Sequence, residues 1–263
     1  MKATLLLATV LTALAAPTQA QTTAATPAAA RVPADQIATS QGPLTVQPIT
    51  HGSVVLSWSG KTLYIDPYGG AAAYAGLAAP DMVLITDIHP DHLDLKTLGG
   101  LSLAKALLLV PQAVADKLPA EYRSRARVLS NGQQLDTLGV RVAAIPMYNL
   151  PATPEARHPK GRGNGYVLTL GGKNVYLSGD TEATPEMRAL KGIDVAFVCM
   201  NLPYTMDVQQ AAQGVLAFKP GIVYPYHYRG ENGLSDVAAF RKTVTAANKK
   251  IDVRLRNWYS AAK

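Results

Sequence analysis

The sequence predicts an α/β domain in which strands lead and helices follow. Short apolar runs, typical of strands, alternate with segments that carry helix-capping residues. About 220 residues follow position 42, which is enough for one large domain with a full hydrophobic core. Two hairpin segments, 59–66 and 171–178, also resemble each other, which suggests two βα halves that face one another.

The first half of the domain is dominated by predicted strands. Alternating and apolar runs predict an opening meander in which Ser59-Gly60 turns one hairpin. Two short buried strands then stand on either side of a predicted helix, and a later β pair turns at Gly139. The strands predicted here span 44–47, 53–58, 62–65, 82–86, 107–110, 134–138 and 140–145.

The second half pairs two strands across Gly171-Gly172 and then alternates strand with helix. Thr184 and Pro185 predict a helix that ends at Gly192, because threonine caps a first turn and proline suits its first position. The next two helices begin at Asp207, which with Gln210 resembles a capping box, and at Ser235; they end before Pro220 and near Asn248. The predicted strands span 166–170, 174–178, 195–199 and 222–224.

The beginning of the chain differs in composition from the domain. Met1-Lys2, an uncharged apolar run and Thr18-Gln19-Ala20 predict a secretory signal peptide over 1–20. An uncleaved membrane anchor is the alternative, although the run is short for a bilayer span. Residues 21–42, rich in Ala, Thr and Pro, predict an unstructured tether before the domain at 43–263. We therefore expect a secreted, periplasmic protein with no stable membrane insertion after cleavage.

Charge and cysteine content narrow the classes of partner. The formal net charge is +7, of which Lys2 contributes one unit. This mildly basic balance favours anionic small molecules, while the sequence offers no basic block or motif for nucleic acid. Cys199 is the only cysteine, so no disulfide forms within the chain, and its apolar surroundings predict a thiol in the core. The oligomeric state stays open.

The densest group of metal-binding side chains is Asp87-Ile88-His89-Pro90-Asp91-His92, directly after the predicted strand 82–86. Two of the five histidines stand here beside two aspartates, and Asp180 and His227 each follow a later strand. Imidazole together with carboxylate suits Zn, Mn or Fe, whereas Ca and Mg sites seldom recruit two histidines. The group therefore predicts a metal site, the alternative being polar residues on surface loops.

The same residues carry a family resemblance. Residues 86–92 resemble the Thr-His-x-His-x-Asp-His signature of the metallo-β-lactamase fold. Ser178-Gly179-Asp180-Thr181 resembles its Gly-Asp-Thr segment, and His227 its late histidine. His51-Gly52-Ser53 and Tyr64-Ile65-Asp66-Pro67 are similar to the branch that contains the ascorbate-phosphate lactonases. The resemblance covers nearly all of the domain and implies a four-layer αβ/βα sandwich with one or two metal ions at one edge of its two sheets.

The resemblance also implies the ligands. Asp87 stands where the signature has its first histidine, which makes the site harder and keeps Mn or Fe open beside zinc, the first choice. Asn149 stands where a further histidine is expected, and His158, nine residues later, is the alternative. The first site would consist of Asp87 and His89 with Asp180 bridging, and the second of Asp91, His92, Asp180 and His227.

The function expected from such a site is hydrolysis by a metal-activated water, on an ester, lactone, amide or phosphodiester. Asp91 is expected to orient the water and move its proton, and Tyr204 either donates to a developing oxyanion or is structural. Lys160 and Arg162 are expected to hold an anionic substrate, or else form a solvated basic turn. The alternative is a metal-binding protein without hydrolytic turnover, redox-active or degenerate. Cleavage of β-lactams is not expected, because fold says little about substrate.

Overall fold

The structure is a computed structural model that describes residues 31–259. Within that range, seven strands form a first sheet and lie side by side in chain order: β1 (Asp35–Ile37), β2 (Leu44–Pro48), β3 (Val54–Trp58), β4 (Lys61–Ile65), β5 (Met82–Leu84), β6 (Leu107–Val110) and β7 (Ala126–Val128). The other strands are β8 (Gln134–Thr137), β9 (Val140–Met147), β10 (Gly163–Leu170), β11 (Lys173–Leu177), β12 (Val195–Cys199), β13 (Ile222–Tyr226), the small hairpin β14 (Arg229–Gly230) with β15 (Gly233–Leu234), and β16 (Asp252–Val253).

The second sheet has the spatial order β16-β13-β12-β11-β10-β9-β8. The α-helices of the described range are α1 (Leu95–Gly100), α2 (Gln112–Lys117), α3 (Ala120–Arg123), α4 (Pro185–Arg188), α5 (Val208–Phe218) and α6 (Val237–Ala247). Among residues 31–259, none of the helices has the length and apolar character that a membrane span requires.

The two sheets are built on one plan. Strands β1 to β4 are antiparallel and β4 to β7 parallel, while β8 to β11 are antiparallel and β11, β12, β13 and β16 parallel. The repeated hairpin segments occupy matching places, since β4 and β11 are each the fourth strand of their half. The likeness extends to one contact: Asp81 accepts a hydrogen bond from Thr62 N, and Asp194 accepts one from Asn174 N, both at 2.9 Å.

Strand alternation sorts the side chains into layers. Leu56 and Ile65 of the first sheet share a buried cluster with Tyr166 of the second, so the two sheets pack face to face. That cluster also takes in Phe218 of α5 and Phe240 of α6. Val55 and Tyr64, the chain neighbours of Leu56 and Ile65, belong instead to a separate cluster with Leu98 of α1 and Val114 of α2, because successive residues point to opposite faces. The predicted four-layer αβ/βα sandwich is confirmed.

Each predicted strand has a counterpart in the structure, whereas the ends of two predicted helices need correction. Asp236, rather than Ser235, caps α6, because its carboxylate accepts from Ala239 N at 2.8 Å while Ser235 Oγ donates to Met200 O. Helix α4 ends at Arg188, four residues before the predicted end at Gly192. The predicted cap at Thr184 is confirmed, since its hydroxyl accepts from Met187 N.

The segment predicted as a tether is structured in its last part. Strand β1 pairs with β2, and Ser40 N donates to Gly171 O at 3.0 Å. The prediction of an unstructured tether over 21–42 is therefore wrong from residue 35 onward, because backbone pairing outweighs the polar composition. Residues 21–30, and the signal peptide predicted over 1–20, lie outside the described residues.

The Asp35 carboxylate of β1 forms hydrogen bonds and ion pairs with residues late in the chain. Asp35 Oδ2 lies 2.7 Å from Tyr224 Oη, 3.1 Å from Arg254 Nη1 and 2.7 Å from Arg256 Nη2. Burial acts to raise the pKa of the Asp35 carboxyl, but the hydrogen bonds from Tyr224 and Arg254 outweigh it and lower the pKa. The ionised carboxylate therefore stabilises the contact between the first sheet and the C-terminal segment.

We expect Asp35→Asn to lower the free energy of unfolding by about 1–2 kcal/mol, because it removes a charged acceptor from three donors. The measurement is urea denaturation at neutral pH, with Asp136→Asn, which breaks an exposed pair with Arg141, as the control that leaves stability nearly unchanged. The folded pKa is lowered, so the wild-type advantage should be complete well above the ordinary pKa of 3.8, decline below it, and disappear as pH falls through the lowered folded pKa. An equal loss in both variants would contradict the prediction.

Cys199 lies fully buried in β12, where its thiol donates to Thr181 O. Burial raises the pKa of this thiol to about 11, so it stays protonated at neutral pH. We expect no alkylation of the native protein by iodoacetamide at a pH of about 8, and a single adduct after unfolding in urea. Mass spectrometry distinguishes the two, and rapid labelling of the native chain would show that the core opens here.

Candidate metal centre

All five histidines of the chain lie at one edge of the two sheets. Ring centroids are 4.6 Å apart for His51 and His227, 5.1 Å for His92 and His227, and 5.0 Å for His89 and His158. The loops that carry them follow β2, β5, β9 and β13. Ends of strands from both sheets thus meet at one place, which is where such a fold presents functional side chains.

The innermost group consists of His92, Asp180 and His227, all buried. His92 Nε2 lies 3.2 Å from His227 Nε2 and 3.4 Å from Asp180 Oδ2, and His227 Nε2 lies 3.2 Å from Asp180 Oδ1. His92 Nδ1 is 2.8 Å from Asp66 Oδ2, and a carboxylate only accepts, so Nδ1 carries a proton. His92 therefore turns its second ring nitrogen, Nε2, toward His227.

This donor set fits a metal ion. Two imidazole nitrogens on one tetrahedral zinc ion, each at about 2.0–2.1 Å, stand about 3.3 Å apart, close to the 3.2 Å seen here. Asp180 Oδ1 is buried and has no hydrogen-bond partner. Burial acts to lower the pKa of His92, but the neighbouring carboxylates outweigh it and raise this pKa well above its ordinary value. Burial acts to raise the pKa of Asp180, but the neighbouring histidines outweigh it and lower this pKa well below its ordinary value. The group therefore favours a positive charge at its centre.

Asp91 lies at the outer side of this group. Its Oδ2 is 3.3 Å from His227 Nε2, 3.9 Å from His92 Nε2 and 4.0 Å from His51 Nε2. The side chain is 30% exposed, whereas Asp180 is 4% exposed. Burial acts to raise the pKa of Asp91, but the hydrogen bond with His227 and the neighbouring histidines lower it. Asp91 is thus an ionised carboxylate that faces solvent beside the innermost group.

A second group brings together Asp87, His89 and His158. Asp87 Oδ2 is 2.7 Å from His89 Nδ1 and 3.9 Å from His158 Nε2. Arg162 also pairs with Asp87, Nε with Oδ1 at 3.1 Å and Nη2 with Oδ2 at 3.0 Å. Burial acts to raise the pKa of Asp87, but the hydrogen bond from His89 and nearby positive charge lower it to about 2.

His158 points into the site, and Asn149 holds it there. Asn149 Oδ1 lies 2.8 Å from His158 N and 3.0 Å from His158 Nδ1, while Asn149 Nδ2 donates to Tyr204 O. His158 Nε2 is buried without a hydrogen-bond partner and lies 3.2 Å from Asp180 Oδ2. Of the two residues left open by the sequence, His158 has its ring nitrogen at the site, and Asn149 orients that ring.

Three residues at this edge have backbone conformations that side chains rarely adopt. His51, Asp66 and His227 have φ angles of 53°, 43° and 46°. Such angles persist where the surrounding structure over-determines them, and they concentrate at functional sites. They let the loops fold back, so that residues from separate strands point to one centre.

A cavity of about 360 Å³ opens above the histidines. Tyr204 and His51 both line it. His51 was not among the site residues predicted from the sequence, where it appears only within the motif His51-Gly52-Ser53. The cavity is also lined by His89, Asp91, His227, Tyr68, Arg157 and Arg229.

Lys160 and Arg162 do not line this cavity. Lys160 Nζ pairs with Glu186 at 2.5 Å and lies over the ring of Tyr148, and Arg162 pairs with Asp87. The predicted substrate-binding pair is therefore not assembled, because both cations are engaged by carboxylates of the protein itself.

Asp66 offers a test of the innermost group. Its carboxylate accepts from Thr86 N and Thr86 Oγ1 and fixes the His92 ring. We expect Asp66→Asn to weaken zinc binding by about 10–100-fold, the effect usual for residues that orient a metal ligand. Competition with a chromogenic chelator measures this, with Asp81→Asn as a control far from the histidines. Equal affinity in Asp66→Asn and the wild type would contradict the assignment.

Comparison with known proteins gives the family. A UPF0173 metal-dependent hydrolase of Pyrococcus abyssi is 28% identical over 195 residues, which are 70% of this chain and 85% of that relative. A crystal structure from Parabacteroides distasonis, provisionally described as a metal-dependent hydrolase, is 34% identical with a TM-score of 0.76 and covers 86% of this chain and 98% of its own. The metallo hydrolase Igni18 of Ignicoccus hospitalis has the same fold, with a TM-score of 0.68 at 23% identity over 81% of this chain and 94% of its own.

The likeness to the lactonase branch stays a prediction, whereas the wider resemblance is confirmed. A family model described as a beta-lactamase superfamily domain matches residues 45–227, from the second strand of the first sheet to the last histidine. Because that match spans well over half of the sequence, the chain belongs to the beta-lactamase superfamily.

Proposed function

We propose that the protein is a metal-dependent hydrolase that acts on an anionic ester, lactone, amide or phosphodiester. One observation supports this above the others: the ring nitrogens of His92 and His227 face each other across 3.2 Å beside a buried carboxylate. A cation between the two rings would be held by both nitrogens and by the carboxylate, at the spacing that two imidazole ligands of one zinc ion have. The descriptions of the relatives as metal-dependent hydrolases support the same assignment.

His92, Asp180 and His227 would hold the metal ion, zinc first and Mn or Fe as alternatives. A bound divalent ion acidifies water and polarises the oxygen of a carbonyl or phosphoryl group. Asp91 is placed to take up the proton that such a water loses, because its carboxylate is ionised and faces the cavity. Asp66 keeps the His92 ring turned toward the centre.

The cavity walls suggest an anionic substrate. The Arg157 guanidinium lies 4.2 Å above the Tyr204 ring, and the Arg229 guanidinium lies 4.4 Å above the Tyr259 ring. Neither guanidinium forms an ion pair with a carboxylate of residues 31–259, and both line the cavity. Stacking on an aromatic ring leaves the N–H groups of an arginine available for a carboxylate or phosphate. These two arginines replace Lys160 and Arg162 as the proposed substrate-binding residues.

The first test is turnover on a panel of chromogenic ester, lactone, β-lactam and phosphodiester substrates, with and without a chelator. We expect Asp91→Asn to lower kcat by about 10²–10⁴-fold while metal content is maintained, because the proton acceptor is lost. Asp236→Asn, which changes a helix cap far from the site, serves as the matched control. Bound metal without chelator-sensitive turnover on any substrate would instead favour a metal-binding protein of this fold.

Substrate charge is tested separately. On an anionic substrate found in that panel, Arg157→Gln and Arg229→Gln should each raise KM by about tenfold or more, because a charged hydrogen bond is lost. A neutral analogue of the same substrate should show little change. Lys160→Gln, which touches Glu186 outside the cavity, is the control. Equal effects on charged and neutral substrates would remove the arginines from substrate recognition.

Export is also part of the proposal. The apolar run and the Thr18-Gln19-Ala20 pattern support cleavage before Gln21 and a secreted, periplasmic location. Fractionation of cells and the mass of the purified protein test this. A full-length chain retained in the cytosol would contradict export, and one retained in the membrane would favour the uncleaved anchor.

A further inference from the structure

The side chain of Arg162 lies beside Asp87, His89 and His158, the group where the family resemblance implies a first metal ion. Its guanidinium makes a two-point pair with the buried Asp87 carboxylate, at 3.1 and 3.0 Å. The same Nη2 atom is 3.5 Å from His89 Nε2. Asp87 is 0% exposed and Arg162 20% exposed, so little solvent screens this charge.

The backbone fixes Arg162 in this position. The residue directly precedes β10, whose Asn164 N donates to Thr86 O at 2.9 Å, next to Asp87. Gly163 allows the approach, since a Cβ atom there would lie 2.8 Å from Thr86 O and 2.5 Å from Met147 Cε. The guanidinium is therefore a built part of the site and not a surface side chain that turned inward.

This arrangement uses the atoms that would bind a first metal ion. Both Asp87 oxygens face Arg162, and one of them also faces His89 Nδ1. With Nδ1 toward the carboxylate, His89 turns Nε2 toward the guanidinium. A divalent ion on His89 Nε2 would lie close to a permanent positive charge, which is unfavourable at such a distance in a partly buried site.

The charge balance leads to the same result. Arg162 offsets the charge of Asp87, whereas the ion-pair partners of Asp66, Asp91 and Asp180 are histidines. The negative charge that a divalent cation would offset therefore lies at the innermost group. No lysine or arginine of residues 31–259 pairs with Asp180, in contrast to Asp87.

We infer that the Arg162 guanidinium takes the place of the first of two metal ions, so that the protein holds one divalent ion tightly at His92, Asp180 and His227. The inference rests on the proposed function, because it concerns the same metal centre. His89 and His158 then bind no metal ion in the wild-type protein. They become available to a second ion only when the guanidinium is removed. Asp87, expected from the sequence as a metal ligand, becomes the residue that positions Arg162 and His89.

The test is the metal stoichiometry of the full chain. Metal-free protein is titrated with ZnCl₂ and separately with MnCl₂. The number of metal ions bound per chain is measured by isothermal titration calorimetry and by inductively coupled plasma mass spectrometry. We expect one tightly bound ion per wild-type chain. Arg162→Gln should bind a second ion at least about tenfold more tightly than the wild type, because the repelling charge is gone and Asp87 becomes available.

Two variants control for charge and position. Arg162→Lys retains the positive charge and should still bind one ion tightly, and Lys160→Gln removes a neighbouring charge held by Glu186 and should match the wild type. Circular dichroism verifies that each variant is folded. If Arg162→Gln does not fold, Arg162→Met, which removes the charge and keeps an apolar stem of similar length, takes its place in the test.

The outcomes separate this inference from the proposed function. Two ions of similar affinity in the wild type, or a second ion indifferent to Arg162→Gln, would overturn the inference and leave a metal-dependent hydrolase in place. A wild-type chain that binds no ion tightly would overturn both. One ion in the wild type, with a second gained only when the charge of residue 162 is removed, supports both.

Discussion

The buried carboxylate of Asp66 is the contact on which the rest of the site depends. Asp66 directly follows β4, and its carboxylate accepts two hydrogen bonds from Thr86, just beyond β5, and a third from His92. One side chain thus sets the spacing of two parallel strand ends and the direction of an imidazole ring. Ser53 Oγ also donates to Asp66 O, which joins the loop after β2 to the same point. This carboxylate therefore fixes the direction of the His92 ring.

The two halves of the fold resemble each other, yet each supplies an aspartate with a different role. Asp66 follows β4 and Asp180 follows β11, so the two carboxylates stand after matching strands. In the first half, the Asp66 carboxylate accepts three hydrogen bonds and orients the His92 ring. In the second half, the Asp180 carboxylate has one oxygen without a hydrogen-bond partner and faces three histidines, namely His92, His158 and His227. The loops after these two matching strands therefore carry a supporting carboxylate in one half and a candidate ligand in the other.

Local patterns in the sequence carried the prediction of the strands and of the cluster at 87–92. The strand signals were strong because buried strands are apolar runs, and Asp180 and His227 were found because they follow such runs. The contacts that were missed join distant residues. Asp87 and Arg162 are 75 positions apart, and Asp35 and Arg254 are 219 apart. No local pattern encodes such pairs, so neither the inward position of Arg162 nor strand β1 was predictable. His51 was missed because it stands alone, without other ligands nearby in the chain.

The histidine edge is completed by residues from the far end of the chain. Tyr259 Oη lies 2.7 Å from His51 Nδ1, and Trp258 Nε1 donates to Ser53 O, contacts that span more than two hundred positions. Contacts of such sequence separation form late in folding, because the intervening chain must first be ordered. The cavity wall is therefore absent from a nascent chain until nearly all of it has been synthesised. The wall beside His51 is thus set by residues 258 and 259, which lie more than thirty positions beyond His227, the last of the proposed metal ligands.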